Sequence, residues 1–391
     1  MGKKSIKNKK KKKKRSYFYR FSAWLHLWLG LISGIVVVIV SLTATILVFE
    51  RELKLLFEPY QTVEVPENKE FLLPSVLSER VKEKYDFSSI WGVYYRGKDK
   101  SVEVPYYADR TNYQVVYVNP YNGEILHNRY LNSDFWRFVL EGHYNFWLPR
   151  NIGKPLVAYS TLIFVITLLT GLVLWWPKKW NKATKKASFE IKWKAKFKRL
   201  NYDLHNVLGF YTLFVALIFG LTGMVYGMNW FRDASYWAAS GGEEFTRESL
   251  VSDTTAIAKY AKKDEDILFR NVVSKVDPNH NKINVKYPYG KNGVWSIGIN
   301  PSFQSRWQTT TIHYEQNSLK IIKAEPTLSK ANGGDQLMRL NYDLHVGAIG
   351  GIWTKIIAFL VCLVATSLPI TGFIIWWKKG NKWKGLKFPL P

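Results

Sequence analysis

The sequence predicts an integral membrane protein with four transmembrane α-helices, built as two repeats related by a pseudo-two-fold axis, and with two α+β modules outside the bilayer. Three observations predict this fold class. Long apolar segments occur four times, nearly all of the net charge of +26 lies in three short segments, and histidines and threonines recur at matched spacings in the two halves of the 391-residue chain.

Each apolar segment is long enough to cross a bilayer core of ~30 Å, which takes roughly 20 helical residues. None of them contains Asp, Glu or Arg, and the only Lys is Lys355, near one end of the last segment. The first follows a lysine run, as a signal peptide would, but it exceeds the ~7–15 apolar residues of a signal peptide, so we interpret it as retained. The predicted spans are residues 21–49, 155–176, 205–230 and 352–377.

The basic residues are concentrated beside these spans. Of the 56 Lys and Arg residues, 26 lie in residues 1–20, 177–205 and 378–391, which contain only two acidic residues. The positive-inside rule places such segments in the cytoplasm. We therefore predict a basic tail (1–20), a basic loop (177–204) and a second basic tail (378–391) on the cytoplasmic side, with both termini inside. Since no nucleic-acid motif accompanies this charge, we expect the lipid bilayer and not nucleic acid as its partner.

The remaining segments are predicted to lie outside. Residues 50–130 and 231–338 form the two outer modules, and each is followed by an interfacial segment, at 131–154 and 339–351. Residues 113–126 alternate apolar and polar positions around an Asn-Pro-Tyr-Asn-Gly turn, which predicts a β-hairpin, and residues 308–326 show a looser version of the same pattern.

The repeat is visible in the spacing of four histidines. His26 and His205 both begin the pattern H-x-x-L-G, and a threonine follows each of them by 17 residues, at Thr43 and Thr222. His143 precedes Thr170 by 27 residues and His345 precedes Thr371 by 26, and a Trp-Trp pair then closes each of these spans. With two spans per repeat, both copies have the same orientation in the membrane, so the axis relates His26 to His205 and His143 to His345.

One heptapeptide, RLNYDLH, occurs at residues 199–205 and again at 339–345. The two copies introduce the third and fourth spans, which run in opposite directions, so they are not symmetry mates. We interpret them as one local solution for starting a helix with a histidine. Asp203 and Asp343 are then helix caps or groups that hold the imidazole N–H.

Two histidines facing each other across a symmetry axis suit a planar cofactor with one ligand on each side, as in bis-histidine haem. Zinc or copper would need a third or fourth ligand, and no Cys, Asp or Glu recurs with the pairs inside the spans. The single Cys362 excludes a disulfide framework. We expect the other histidines, His127, His280 and His313, to lie on the solvated surface.

The Thr-Gly pairs of the spans have two interpretations that the residues leave open. Glycine allows a porphyrin to approach the backbone, and small residues also let two helices pack closely. On the first interpretation, the residues that pack against haem are Thr43, Thr170, Gly171, Thr222, Gly223, Thr371 and Gly372. The Trp pairs are more typical of an interfacial belt than of an electron relay.

The chain resembles the PepSY-associated transmembrane proteins, which include iron-regulated inner-membrane proteins and siderophore-iron reductases. The resemblance covers nearly the whole chain, with "LTA" in place of "LTG" in the first span as one departure. The carrying motifs are WLHLWLGL (24–31), EGHYNF (141–146), LTGLVLWWPKKW (169–180), DLHNVLGFY (203–211), DLHVGAIGG (343–351) and ITGFIIWW (370–377), and VVYVNPYNGEIL (115–126) resembles the end of a PepSY module.

This resemblance implies a multi-pass protein of the bacterial inner membrane with its modules in the periplasm. It implies two haem b groups per chain, held by His26, His143, His205 and His345, and a haem-dependent ferric-siderophore reductase activity. The expected partners are a ferric siderophore or another ferric chelate, and a quinol or cytoplasmic electron donor. The alternative is a membrane-anchored binding or peptidase-regulating protein of PepSY type without redox activity.

Overall fold

A computed structural model describes residues 15–109, 112–253 and 263–379, so the predictions for residues 1–14 and 380–391 of the basic tails lie outside the described residues. In chain order the helices are α1 (Tyr17–Leu47), α2 (Glu50–Phe57), α3 (Pro74–Tyr85), α4 (Phe135–Asn145), α5 (Arg150–Trp175), α6 (Lys182–Phe189), α7 (Phe197–Asp203), α8 (Gly209–Gly227), α9 (Asn229–Ser240), α10 (Asp264–Val273), α11 (Gly333–His345) and α12 (Ile352–Lys379). The strands are β1 (Gly92–Tyr95), β2 (Val102–Asp109), β3 (Asn112–Val118), β4 (Ile125–Tyr130), β5 (Lys282–Lys286), β6 (Trp295–Asn300), β7 (Thr310–Tyr314) and β8 (Ile321–Ala324).

Four helical segments are long and apolar enough to cross a membrane, as predicted: residues 17–47, 150–175, 197–227 and 352–378. The third begins earlier than predicted, because α7, a π-helical turn (Leu204–Leu208) and α8 form one continuous helix. The first RLNYDLH copy therefore lies inside this helix. The second copy ends α11, and a break containing Gly347 (φ 70°) and Gly351 (φ 69°) separates it from α12, so it does not open the fourth span.

Lys355, within the fourth span, is paired with a glutamate. Lys355 is only 7% exposed, and its Nζ lies 2.7 and 2.8 Å from the two carboxylate oxygens of Glu52 on α2. A buried charge without a counter-charge is strongly unfavourable, so this pair explains how the charge is tolerated there.

The eight strands form one antiparallel sheet in the order β4-β3-β2-β1-β5-β6-β7-β8. Both predicted hairpins are present, as β3–β4 and as β7–β8. β1 pairs with β5 over four residues, from Gly92 opposite Lys286 to Tyr95 opposite Ile283. The two outer segments therefore share one sheet and form a single α+β module, where the sequence predicted two.

The two faces of the sheet differ in polarity because side chains alternate along each strand. On one face, fully buried residues such as Val93, Val104 and Ile297 pack against α3 and α10. Burying each such side chain contributes about 1.5–3 kcal/mol. The opposite face carries polar residues, among them Glu103 and Asn284, which flank Tyr94 across the sheet.

The described residues divide into two compact units. Within the described residues, the first consists of 15–38, 159–217 and 364–379, and the second of 39–158 and 218–363 with its gaps. The second contains the whole sheet, and each unit contains one segment of every long helix. Each of the two predicted histidine pairs falls within one unit.

Candidate functional site

The first histidine pair joins α1 to the π-helical turn. The ring centroids of His26 and His205 are 6.1 Å apart, with ring planes at 85°. His205 lies in the π-helical turn, a local departure from α-helical geometry that is frequent at functional sites. Sequence spacing predicted this pair, and the structure brings its members together.

The second pair joins the C-terminal ends of α4 and α11. The ring centroids of His143 and His345 are 6.0 Å apart, with ring planes at 56°. Each helix is started by a capping side chain, since Asp134 accepts from the Arg137 amide and Asn332 accepts from the Asp335 amide. These caps and the turns that follow the helices hold the two histidines in place.

All four histidines use Nδ1 in the same way. Each Nδ1 bonds to a threonine hydroxyl and to the backbone carbonyl three residues before that threonine, both on another helix. The threonine contacts are His26–Thr170 (3.3 Å), His143–Thr43 (3.3 Å), His205–Thr371 (3.0 Å) and His345–Thr222 (3.0 Å). The carbonyls are those of Thr167 (3.0 Å), Val40 (3.0 Å), Leu368 (3.1 Å) and, for His345, Phe219.

This arrangement determines the tautomer of each ring. A carbonyl oxygen only accepts, so Nδ1 must carry the proton and donate. The four threonine hydroxyls already donate to carbonyls of their own helices at 2.7–3.0 Å, so they too accept from Nδ1. Nε2 is then unprotonated in the neutral ring, with its lone pair available to a metal.

The residues present fit a bis-histidine haem. Nε2 of each of the four histidines has no hydrogen-bond partner among the described residues. Two in-line metal–imidazole bonds of about 2.0–2.1 Å, with about 1.1 Å from each nitrogen to its ring centre, give a centroid separation of roughly 6.3 Å. The observed 6.1 and 6.0 Å agree with this value. Within the described ranges no three His, Cys, Asp or Glu side chains come together as a metal-binding group.

The rings of His143 and His345 are in the neutral form that ligation by Nε2 requires. Burial lowers the pKa of His143, and burial together with the neighbouring His143 lowers the pKa of His345 to about 4. Desolvation has this effect because it disfavours the charged imidazolium.

The glycines of the Thr-Gly pairs differ in what they face. A Cβ on Gly171 would lie 3.1 Å from Cε1 of His26, and a Cβ on Gly372 would lie 3.2 Å from Cε1 of His205. These two glycines thus make room for the histidine rings. Gly223 is half-buried beside Thr222, and Ala44 occupies the corresponding position after Thr43.

The two heptapeptides make equivalent contacts, which sequence reasoning missed. Asn201 donates to the carbonyl of Thr371, and Asn341 donates to the carbonyl of Thr222, so each asparagine binds the threonine that contacts the histidine four residues later. The repeated Asn-x-x-x-His spacing was the available signal. The motif is therefore a unit that attaches a histidine to its threonine.

The aspartates of the heptapeptide are neither helix caps nor partners of the imidazoles. Asp203 accepts from the Lys192 amide (3.3 Å) and from the Arg199 guanidinium (3.0 Å), while Asp343 accepts from the amides of Arg306 (2.9 Å) and Trp307 (2.7 Å). Both carboxylates are fully buried. Each one anchors a neighbouring loop against the histidine helix.

The other histidines have different environments. His127 is exposed and stacks on Tyr60, and His280 is exposed and bonds Asp277. His313 is half-buried, and Ser296 lies 2.9 Å from its Nδ1, so it is not on the solvated surface as expected.

The Trp pair of the second span also departs from a simple interfacial belt. Trp175 is only 7% exposed, stacks on Phe210, and donates to the carbonyl of Ser188, whereas Trp176 is exposed. Trp175 therefore packs against the basic loop.

Comparison with known proteins bears on the whole arrangement. No curated protein matches the sequence. The sequence does match the family described as the PepSY-associated TM region, over residues 23–379. This match includes all four spans, the sheet and the four paired histidines. The chain therefore belongs to the PepSY-associated TM region family.

Proposed function

We propose that the protein is a di-haem oxidoreductase of the bacterial inner membrane that reduces a periplasmic ferric siderophore and releases Fe(II). The observation that carries this proposal is the repeated histidine geometry: Nδ1 fixed by a carbonyl and a threonine, Nε2 free, and two rings about 6 Å apart in each pair. An interfacial or packing role would not require the same tautomer at four positions.

In this proposal His26 and His205 hold one haem b, and His143 and His345 hold the second. When bound, the haem iron supplies one-electron redox chemistry at a potential tuned by its ligands and surroundings. The Thr hydroxyls and carbonyls orient the imidazoles and raise their basicity by accepting from Nδ1. Because equivalent residues make this contact in both halves of the chain, they support the pseudo-two-fold relation of the repeats.

The direction of electron flow follows from the charge of the chain. We place the basic segments and both termini in the cytoplasm and the sheet in the periplasm, in accord with the positive-inside rule. His143 and His345 lie on helices that follow strands of the sheet, so the proposal assigns their pair to the acceptor side. Quinol or a cytoplasmic flavoprotein would supply electrons to the haem held by His26 and His205.

The test begins with haem content of the purified protein. We expect two haem b per chain in the wild type, one in His26→Ala and one in His143→Ala, with the His313→Ala variant keeping two as a control. A colourless wild-type protein would contradict the proposal and favour the alternative of a membrane-anchored binding or peptidase-regulating protein.

The second measurement is stopped-flow oxidation of pre-reduced protein by a ferric siderophore. We expect His143→Ala and His345→Ala to be oxidised much more slowly than the wild type. Equal rates would contradict the assigned polarity. Slow oxidation of every haem-containing form would show that iron chelates are the wrong class of substrate.

A further inference from the structure

A group of cationic side chains lies on the polar side of the sheet, apart from the four histidines. Its members come from four separate parts of the chain: Arg51 from α2, Arg96 from the residue directly after β1, Lys282 from β5, and Arg306 from the loop between β6 and β7. We call Arg51, Lys282 and Arg306 the cationic cluster, because Arg96 forms an ion pair with Glu103 whereas these three form none within the described part of the chain.

Strand pairing brings the cluster together. Tyr95 pairs with Ile283 at the end of β1, and Arg96 and Lys282 are the next residues along these two antiparallel segments. Nζ of Lys282 donates to the carbonyl of Ser305 at 3.3 Å, which places it beside Arg306. Arg51 interacts electrostatically with Arg96 and Lys282, and also with the carboxylates of Glu52 and Glu103.

The nearby carboxylates are engaged elsewhere. Glu103 pairs with Arg96 at 2.5 Å, and Glu52 pairs with Lys355. Asp343 is fully buried and accepts from backbone amides. Among the described residues, no carboxylate forms an ion pair with Arg51, Lys282 or Arg306.

Placing cations close together is unfavourable where nearby carboxylates offset their charge only in part. Burial first, and then Arg51, Arg96 and Arg306, lower the pKa of Lys282 to about 7, against an opposing contribution from Asp343. Arg51 and Lys282 are half-buried and Arg306 is exposed, so a solute can reach them.

The cluster adjoins the pair formed by His143 and His345, which we call the outer histidine pair because the proposed function assigns it to the periplasmic side. The Arg306 guanidinium lies 3.8 Å above the ring of Tyr342, which precedes His345 by three residues on α11. Residues three apart on a helix share a face. Tyr226 contacts the His345 ring as well, with centroids 5.8 Å apart.

We propose that Arg51, Lys282 and Arg306 form a binding site for the carboxylate groups of an anion beside the outer histidine pair. Two guanidinium groups and one ammonium match carboxylates, since the planar guanidinium fork binds a carboxylate through two parallel hydrogen bonds. The carboxylates come either from a carboxylate-type ferric chelate or from the propionates of a haem held by His143 and His345. The two candidate sources of the carboxylates depend on the proposed function, whereas the binding site itself is inferred from the three cationic side chains.

The experiment uses gallium(III) citrate, a redox-inert carboxylate chelate, and the full-length protein in detergent, both haem-loaded and haem-depleted. Binding is measured by calorimetry for the wild type, Arg51→Gln, Lys282→Gln and Arg306→Gln. The matched control is Lys286→Gln, which removes an exposed cation from the same strand and the same face as Lys282. Haem retention and thermal unfolding are measured for every variant.

We expect each cluster variant to weaken binding by about tenfold or more, as loss of a charged hydrogen bond does, and the control to bind like the wild type. We also expect the ligand-free cluster variants to unfold at the same or a higher temperature, because mutual repulsion is removed. A cation with a purely structural role would instead leave a less stable protein.

The outcomes separate the two sources. Binding of gallium citrate to the haem-loaded protein supports an external chelate. Binding only to the haem-depleted protein, with weaker haem retention in the cluster variants, supports the propionates. If neither binding nor haem retention differs between the cluster variants and the control, the inference is wrong. A protein that carries no haem but binds gallium citrate through these residues would contradict the proposed function and leave the site intact.

Discussion

At the scale of single residues, the orientation of each paired histidine depends on groups of another helix. Nδ1 of His205 bonds Thr371 and the Leu368 carbonyl, and the ring rests against Gly372. The carbonyl alone is enough to set the tautomer, so the threonine supports a geometry that the backbone already imposes. The glycine has a different role, because it determines whether the ring fits.

Substitution of Gly372 tests this steric role. Its Cβ would lie 3.2 Å from Cε1 of His205, so the ring must shift by a few tenths of an ångström. Alanine is found naturally at the matching position after Thr43, so a single methyl group should be partly tolerated. We therefore expect Gly372→Ala only to weaken haem retention at this pair, by about tenfold, and the larger side chain of Gly372→Val to abolish it. The readout is haem per chain after competition with an apo-globin. Gly209→Ala is the control, since its Cβ would meet only the flexible Leu368 side chain at 3.5 Å. Retention of two haems in Gly372→Val would contradict the prediction.

At the scale of elements, the pairing of β1 with β5 is what makes one sheet from two segments of the chain. Gly92 begins β1 with φ 154° and lies opposite Lys286. A Cβ there would lie 2.1 Å from the Val285 carbonyl oxygen, which is fixed in the sheet and has no room to move. The pairing of β1 with β5 therefore requires glycine at position 92.

We expect Gly92→Ala to lower the free energy of unfolding by about 3 kcal/mol or more, as overpacking against a rigid backbone does. Denaturant unfolding, followed by Trp fluorescence, measures the change. Gly298→Ala on β6 is the matched control, because its Cβ would meet side chains at 3.6 Å and longer. Equal stability of the two variants would show that β1 and β5 tolerate a side chain at their junction.

At the scale of the whole molecule, charge and hydrophobicity are segregated along the chain. The apolar helices are long enough to span a bilayer, and the basic residues cluster in segments that flank them. From this pattern the positive-inside rule gives the proposed orientation, in which the loop between α6 and α7 is inside and the sheet is outside.

Cysteine labelling tests the orientation. Tyr289, in the turn between β5 and β6, is 86% exposed, and Trp193, between α6 and α7, is 69% exposed. We expect Tyr289→Cys to react with a membrane-impermeant maleimide in spheroplasts and Trp193→Cys to react only after lysis. The wild type is the control, because Cys362 is buried. The reverse pattern would place the sheet in the cytoplasm and invert the proposed electron flow.

The sequence by itself determined the features that depend on local pattern. Hydropathy located the four spans, alternation and turn residues located the β3–β4 and β7–β8 hairpins, and spacing paired His26 with His205 and His143 with His345. These features can be predicted because residue types mark them: a run of residues marks each span or hairpin, and a repeated spacing marks each histidine pair.

The tertiary structure decided the features that depend on which distant backbone groups meet. The β1–β5 pairing joins strands nearly two hundred residues apart, and no residue type in these strands predicts its register. The carbonyls that bind Nδ1 belong to the backbone, which every residue shares, so no residue type marks them. Asp343 likewise acquires its backbone partners, and the members of the cationic cluster become neighbours, only when loops, strands and α11 come together. The composition gives the number of charges, but only the three-dimensional structure shows that, among the described residues, no carboxylate forms an ion pair with the cationic cluster.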